Sequence, residues 1–82
     1  MIQRTIVVNS NMEARPAALF VQTASKFQSS ISVTIDNKTA NAKSIMGMMS
    51  IGILDGHEIT IEADGSDEEI AVATLGKFIS GV

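Results

Sequence analysis

The sequence of 82 residues contains no cysteine, which excludes a disulfide framework and thiolate chemistry and suits a reducing cytosol. It has no excess of basic residues, since six Lys and Arg stand against nine Asp and Glu and give a net charge of −3. This balance argues against nucleic acid or an anionic membrane as the main partner. No apolar run reaches transmembrane length, and the start MIQRTIVVNS is too polar for a signal peptide. We expect a cytoplasmic protein that binds neither nucleic acid directly nor a membrane.

Few side chains could converge on a catalytic or metal site. His57 is the only histidine, and no cysteine or carboxylate cluster accompanies it at metal-ligand spacing, so we interpret it as a solvated loop residue. The acidic run Asp67, Glu68 and Glu69 is explained by a helix start, where carboxylates complement the macrodipole. A chain of this length forms one small core and leaves little room for an enzyme-sized cavity. We therefore expect a single domain over residues 1–82, with no metal, no cofactor and no enzymatic activity.

Hydrophobic periodicity predicts the element order βαββαβα. Alternating apolar and polar residues indicate strands, and apolar positions at helical spacing indicate helices. Asp36 and Asn37 supply hairpin-turn chemistry, and Ser66 and Glu69 have the spacing of a capping box before the last helix. The predicted elements are a strand at 2–8, a helix from about 15 to 27, strands at 31–35 and 38–42, a helix at 44–51, a strand at 58–63 and a final helix. A tight hairpin among helices indicates an α+β fold, with an antiparallel or mixed sheet covered on one face.

The segment KSIMGMMSIG predicts a short helix with Ser44 as its N-cap. A helix on one face of a small sheet buries only one of its sides. The apolar residues of this helix, however, lie almost all round it: Ile45, Met46, Met48, Met49 and Ile51. Two interpretations remain open. Either some methionines are exposed and form an adaptable docking patch beside a phosphorylatable serine, or the helix is a buried, methionine-rich part of the core.

The segment NMEARPAALF places charged residues at the start of another helix. Pro16 fits the first turn, so the helix begins at about Arg15, and Glu13 lies just outside it. A carboxylate and a guanidinium therefore flank the positive end of a helix macrodipole. Ordinary helix-end electrostatics, worth about 0.3–1 kcal/mol at an exposed site, is sufficient to explain this pair, and the spacing alone does not indicate a functional role.

Three segments together resemble the HPr family, the histidine-containing phosphocarriers of the bacterial sugar phosphotransferase system. They are EARPAALFVQTASKF, NAKSIMGMMSIG and DEEIAVATLGKFI, in the family's order and spacing, and they cover nearly the whole chain. The resemblance implies an open-faced β-sandwich, in which three helices cover one side of a four-stranded antiparallel sheet.

The resemblance also implies that the phosphoryl acceptor is lost. The family's phosphorylated histidine stands directly before ARPA, and that position is Glu13 here. Arg15 and Pro16 remain, but glutamate adds negative charge where the incoming phosphoryl group needs cationic help, and the preceding loop looks shorter than in the usual family pattern. We therefore expect no phosphocarrier activity and no catalytic residue; an acyl phosphate on Glu13 is a distant alternative.

A second family site is retained. Ser44 matches the serine that HPr kinase/phosphorylase phosphorylates in Gram-positive bacteria, and Ile45, Met46 and Met49 match the family's apolar docking patch. This combination resembles the catabolite-repression branch of the family, in which the seryl-phosphorylated protein is a corepressor of catabolite control protein A. We expect Arg15 and the Ser44 helix to contact that regulator. The main alternative is a paralogue that regulates another enzyme or transporter independently of Ser44.

The resemblance and the sequence also suggest how two chains could assemble. A short segment between the first strand and the first helix strains the tight return of the chain. Short hinges favour exchange of an identical element between two chains. A homodimer that swaps the strand at 2–8 is therefore an expected form.

Overall fold

The computed structural model describes residues 1–8, 14–51 and 56–80, and within them not the side chains of residues 14–16 and 80. The elements follow the predicted order βαββαβα: β1 (Ile2–Val7), α1 (Ala14–Ala24), β2 (Ser30–Ile35), β3 (Lys38–Asn41), α2 (Ile45–Ser50), β4 (Glu58–Asp64) and α3 (Glu68–Ser80). No helix within the described residues is long and apolar enough to cross a membrane.

The four strands form one antiparallel sheet in the order β1-β4-β2-β3. One face is apolar, as shown by the buried Ile59 and Ile61 of β4. The other face is polar and carries a row of threonines across all four strands, with hydroxyl pairs 3.2 and 3.0 Å apart: Thr5, Thr60, Thr34 and Thr39. The alternation predicted from the sequence therefore separates a covered face from an open one.

The β2–β3 hairpin turns at Asp36 and Asn37, whose φ angles are 47° and 69°. Asp and Asn tolerate this left-handed conformation better than most residues, and two such positions in a two-residue loop match the twist of the flanking strands. The hairpin predicted from these two residues is confirmed.

The core lies between the covered face of the sheet and the helices. Phe20 of α1 is fully buried and meets Phe78 of α3 edge to face, with ring centroids 5.6 Å apart. Gly76 lets α3 approach β1 closely, because a Cβ at this position would lie 2.8 Å from the Cδ1 atom of Ile6. The fully or almost fully buried apolar side chains of α3 are those of Ala71, Val72, Leu75 and Ile79.

One predicted helix end and one predicted capping contact are wrong. Helix α1 ends at Ala24 and not near Phe27, because the amide of Phe27 donates to the carbonyl of Ala24, an i−3 bond that tightens the chain into a turn. The contact predicted between Ser66 and Glu69 is replaced by one between their preceding neighbours: the amide of Gly65 donates to Oε1 of Glu68 at 3.1 Å. The capping interaction therefore lies one residue earlier than the sequence pattern indicates.

Candidate docking site at Ser44

Ser44 is the N-cap of α2, as predicted. Its backbone is extended (φ −116°, ψ 117°), and its Oγ atom accepts a hydrogen bond from the amide of Gly47 at 3.1 Å. The amide of Ser44 donates to the carbonyl of Asn41 at 3.0 Å, so the residue is fixed from both sides. Its half-buried hydroxyl stands at the start of a helix, where unpaired amides favour acceptors and negative charge.

Helix α2 exposes most of its apolar residues. Met48 is fully buried, but Ile45, Met46 and Met49 are 44%, 82% and 48% exposed. We call these three exposed residues the α2 patch. Of the two interpretations left open by periodicity, the helix buried in the core does not hold, and an exposed methionine surface lies beside Ser44.

Leu19 of α1 is a further exposed apolar residue outside the α2 patch. It is 49% exposed, and Phe20 next to it is fully buried. Helix α1 packs against α2. The buried face of α1 is formed by Ala17, Phe20, Val21 and Ala24, and Leu19 lies on its exposed side.

Lys43 makes a contact that sequence reasoning missed. Its Nζ atom donates to the carbonyl oxygen of Phe27 at 2.8 Å, and its backbone amide donates to Oδ1 of Asn41 at 2.8 Å. The second bond is an Asx turn, for which the asparagine two residues earlier was a sequence signal. The first bond joins residues 16 apart and had no local signal.

The acidic run does more than complement the macrodipole of α3. The carboxylate of Asp67 accepts from the amides of Gln28 (2.8 Å) and Ser29 (3.0 Å) and from the hydroxyl of Ser29 (2.5 Å). The Ser29 hydroxyl, followed by the Gln28 amide, holds the pKa of Asp67 below its ordinary value. Ser29 is completely buried, so Asp67 satisfies a polar group within the core.

Glu68 ties the start of β1 to α3. Its Oε2 atom lies 3.1 Å from the N-terminal ammonium of Met1, which also lies 3.7 Å from the carboxylate of Asp64. The hydrogen bond from the Gly65 amide lowers the pKa of Glu68, and the ammonium lowers it further. Glu68 in turn raises the pKa of the ammonium.

His57 is half-buried, contrary to the interpretation of a solvated loop residue. Its backbone carbonyl accepts from the amide of Val8 at 2.9 Å, which extends the β1–β4 ladder. Its Nδ1 atom is shielded from solvent and has no hydrogen-bond partner within residues 1–8, 14–51 and 56–80. The same residues contain no group of three His, Cys, Asp or Glu side chains that could hold a metal ion.

The predicted pairing of Glu13 with Arg15 stays a prediction. Glu13 lies outside the described residues, and Arg15 belongs to the first turn of α1 but its side chain is not among those described. The residues brought together by the described structure are therefore Lys43, Ser44 and the α2 patch.

Comparison with known proteins gives consistent matches over nearly the whole chain. Residues 2–81 match the family PTS-HPr, described as the PTS HPr component phosphorylation site. The HPr-like protein Crh of Bacillus subtilis is 43% identical over 81 residues, which are 96% of this chain and 95% of Crh.

Solved structures agree with this match. The phosphocarrier protein HPr of Bacillus anthracis superposes with a TM-score of 0.92 at 46% identity, over 95% of each chain. A crystal structure of Bacillus subtilis Crh, described as a dimer with a swapping domain, superposes with a TM-score of 0.82 at 42% identity, over 99% of this chain and 95% of that one. The chain belongs to the HPr family, whose members are phosphocarrier or regulatory proteins and not enzymes, and within that family it is similar to Crh.

Proposed function

We propose that this chain is a non-catalytic regulatory protein of the cytoplasm that HPr kinase/phosphorylase phosphorylates on Ser44. The phosphorylated form then acts as a corepressor of catabolite control protein A in carbon catabolite repression. The observation that carries this proposal is the position of the Ser44 hydroxyl, which caps α2 directly beside the exposed α2 patch. The similarity to Crh, which is described as a catabolite repression HPr, supports the same function.

The proposed modification fits the geometry of the cap. In the kinase, the Oγ atom of Ser44 forms a bond to the γ-phosphorus of ATP, ADP leaves, and the hydroxyl proton passes to a base of the kinase. The phosphate then lies at the start of α2, close to the Gly47 amide that already donates to Oγ. Charge-assisted hydrogen bonds and the helix dipole favour a dianion there, so phosphorylation changes the local charge with little change of fold.

The proposed partner contact combines a charge with an apolar surface. The regulator buries the α2 patch and meets the phosphate with Arg or Lys. Met46, which is 82% exposed, has the largest share of its side chain available to a partner. Arg15 supplies a second polar contact to an acidic group of the regulator.

Titration of catabolite control protein A with the phosphorylated and the unmodified protein tests the proposal. We expect the phosphorylated form to bind more tightly and Ser44→Ala to lose kinase labelling and regulator binding together. Ser50→Ala is the matched control, because Ser50 is an exposed serine at the other end of α2 and should leave both unchanged. Equal affinity of the two forms would mean that Ser44 is only an N-cap.

In the main alternative function, a partner binds the α2 patch and phosphorylation of Ser44 is not required. An HPr paralogue that regulates another enzyme or transporter would use the same apolar surface, which is exposed in the unmodified protein. In that case Met46→Ala weakens binding to the partner whether or not Ser44 is modified. Ile70→Ala is the control, because Ile70 is also highly exposed but lies on α3.

We also propose that the chain has lost carrier function. A carboxylate at position 13 replaces the family's histidine, and the preceding segment is shorter than in the family pattern. Glu13→His should therefore give much less phosphotransfer than an ordinary HPr, because an acceptor must also sit at the right distance from the α1 amides. Labelled phosphoenolpyruvate and Enzyme I provide the assay, and full HPr rates in this single variant would contradict the loop argument.

A strand-swapped homodimer is the assembly we propose, by similarity to the dimer described for Crh. Strand β1 is an edge strand that pairs with β4 alone and packs on α3, so exchange between two chains would preserve its contacts. Size-exclusion chromatography with light scattering at high protein concentration tests this assembly. Detection of monomer alone at every concentration would contradict the proposed dimer.

A further inference from the structure

The positive charge at the end of α1 comes from outside that helix. Helix α1 carries no basic residue in its last turn. The chain then turns through two i−3 bonds, and the carbonyl that follows, that of Phe27, accepts from Lys43 Nζ at 2.8 Å in a partly buried position. The turn that follows α1 is therefore held by a cation from elsewhere in the chain, the ammonium of Lys43.

The same lysine directly precedes Ser44 and shares its turn. The amides of Lys43 and Ser44 donate to the side chain and to the carbonyl of Asn41, at 2.8 and 3.0 Å. The backbone at 43 and 44 is therefore fixed. The ammonium of Lys43, in contrast, sits on a flexible four-carbon stem and can change its partner without moving the turn.

A phosphate on Ser44 would compete with Phe27 for this ammonium. It brings a charge close to −2 and three strong acceptor oxygens to the neighbouring residue. A hydrogen bond between two ionised groups is stronger than one between an ammonium and a neutral carbonyl. We propose that Lys43 is a relay: it binds the Phe27 carbonyl in the unmodified protein and moves to the phosphate when Ser44 is phosphorylated, which releases the turn at the end of α1. This inference rests on the proposed modification of Ser44.

The released segment is short, because its far end has a separate anchor. Asp67 binds the amides of Gln28 and Ser29 and the hydroxyl of Ser29, and none of these bonds involves Lys43. The change is therefore confined to the turn around residues 25–27 and to Phe27, whose half-buried ring packs against the core. A charge added at the start of α2 thus reaches the end of α1, the helix that packs against α2.

The test uses the full chain with phosphoserine incorporated at position 44 during synthesis, so that neither kinase nor regulator is needed. In NMR spectra, we expect phosphorylation to shift the Phe27 carbonyl carbon and the adjoining Gln28 amide. In Lys43→Gln these signals should already be displaced in the unmodified protein and should change little with phosphate. Lys26→Gln is the matched control, because Lys26 is an exposed lysine of the same turn and its removal should preserve the response.

A pH titration of the phosphorylated protein, followed by phosphorus NMR, measures the second pKa of the phosphoserine. A purely structural role of Lys43 would not change this pKa. Pairing with an ammonium should lower the second pKa of the phosphoserine by several tenths of a unit, because an exposed ion pair is worth about 0.2–1 kcal/mol and one pKa unit corresponds to about 1.4 kcal/mol. Unchanged Phe27 and Gln28 signals on phosphorylation, or equal phosphate pKa values with Lys43 and with Gln, would overturn the relay. Failure of kinase labelling or of regulator binding would instead count against the proposed function.

Discussion

Helix α2 contains a buried and an exposed methionine, so that the effect of Met→Ala on stability can be compared between the two positions. Met48 is 0% exposed and Met46 is 82% exposed. Met48→Ala removes the three side-chain heavy atoms beyond Cβ from the core, and at about 0.8 kcal/mol for each buried methylene-sized group the transfer loss is about 2.4 kcal/mol. The residual cavity adds to this, so we expect a loss of about 2–5 kcal/mol in the free energy of unfolding. Met46→Ala should change it by less than about 0.5 kcal/mol.

Urea unfolding followed by circular dichroism measures both values. A loss of about 1 kcal/mol lowers the melting temperature of a domain of this size by about 4–8 °C, so the two variants should differ clearly. Met48→Leu, a substitution of similar volume, should cost less than about 1.5 kcal/mol and controls for any special role of sulfur. Similar stability losses in the two alanine variants, or intact regulator binding in Met46→Ala, would refute the division of α2 into a core face and a docking face.

Three further predictions concern the N-cap Ser44, the close contact between Gly65 and Ser29, and the carboxylate of Asp67. Ser44→Ala should lower stability by about 0.5–2 kcal/mol in urea unfolding, and Ser44→Asp, which can still accept from the Gly47 amide, should recover most of it. Gly65→Ala should destabilise by about 1–3 kcal/mol, because the new Cβ would lie 2.6 Å from the Cα of the buried Ser29, and calorimetry showing an unchanged melting temperature would contradict this contact. Because its pKa is lowered in the folded state, Asp67 stabilises the protein above its unfolded pKa near 4, and this contribution is lost as the pH falls through the lowered folded value. Asp67→Asn should therefore flatten the acid limb of a stability–pH curve, and an acid limb as steep as that of the unsubstituted protein would contradict this role of Asp67.

The features of the fold that could be predicted from sequence are those with a local cause. The alternation in β2 and β4, the paired left-handed residues Asp36 and Asn37, and the cap at Ser44 each depend on residues within one turn or strand. The end of α1 could not be predicted in this way. Helix formers and an apolar position at Phe27 favoured a longer helix, but the segment after Ala24 is fixed by groups from elsewhere in the chain.

Those groups are Lys43 and Asp67, which bind the segment from distances of 16 and 38 residues along the chain. A lysine before a serine and an aspartate before a helix both have an adequate local explanation. Nothing in the sequence therefore indicated that either side chain binds the segment after α1. Only the packing of α2 and α3 against α1 brings the two side chains to this segment.

The exposure of the α2 patch has a similar origin. A helix that is apolar on all sides has no polar face to mark its solvent side, so periodicity could not separate a docking surface from a core helix. The structure settles this, because α2 packs against α1 and β3: a Cβ at Gly47 would be in ordinary contact with the Cβ of Ala40 at 3.5 Å, and Met48 on this inner face enters the core. A helix packed on one side must expose the other. The methionines at 46 and 49 are therefore exposed as a consequence of the same contact that buries Met48, and a protein that keeps such residues in water retains a surface suited to a partner.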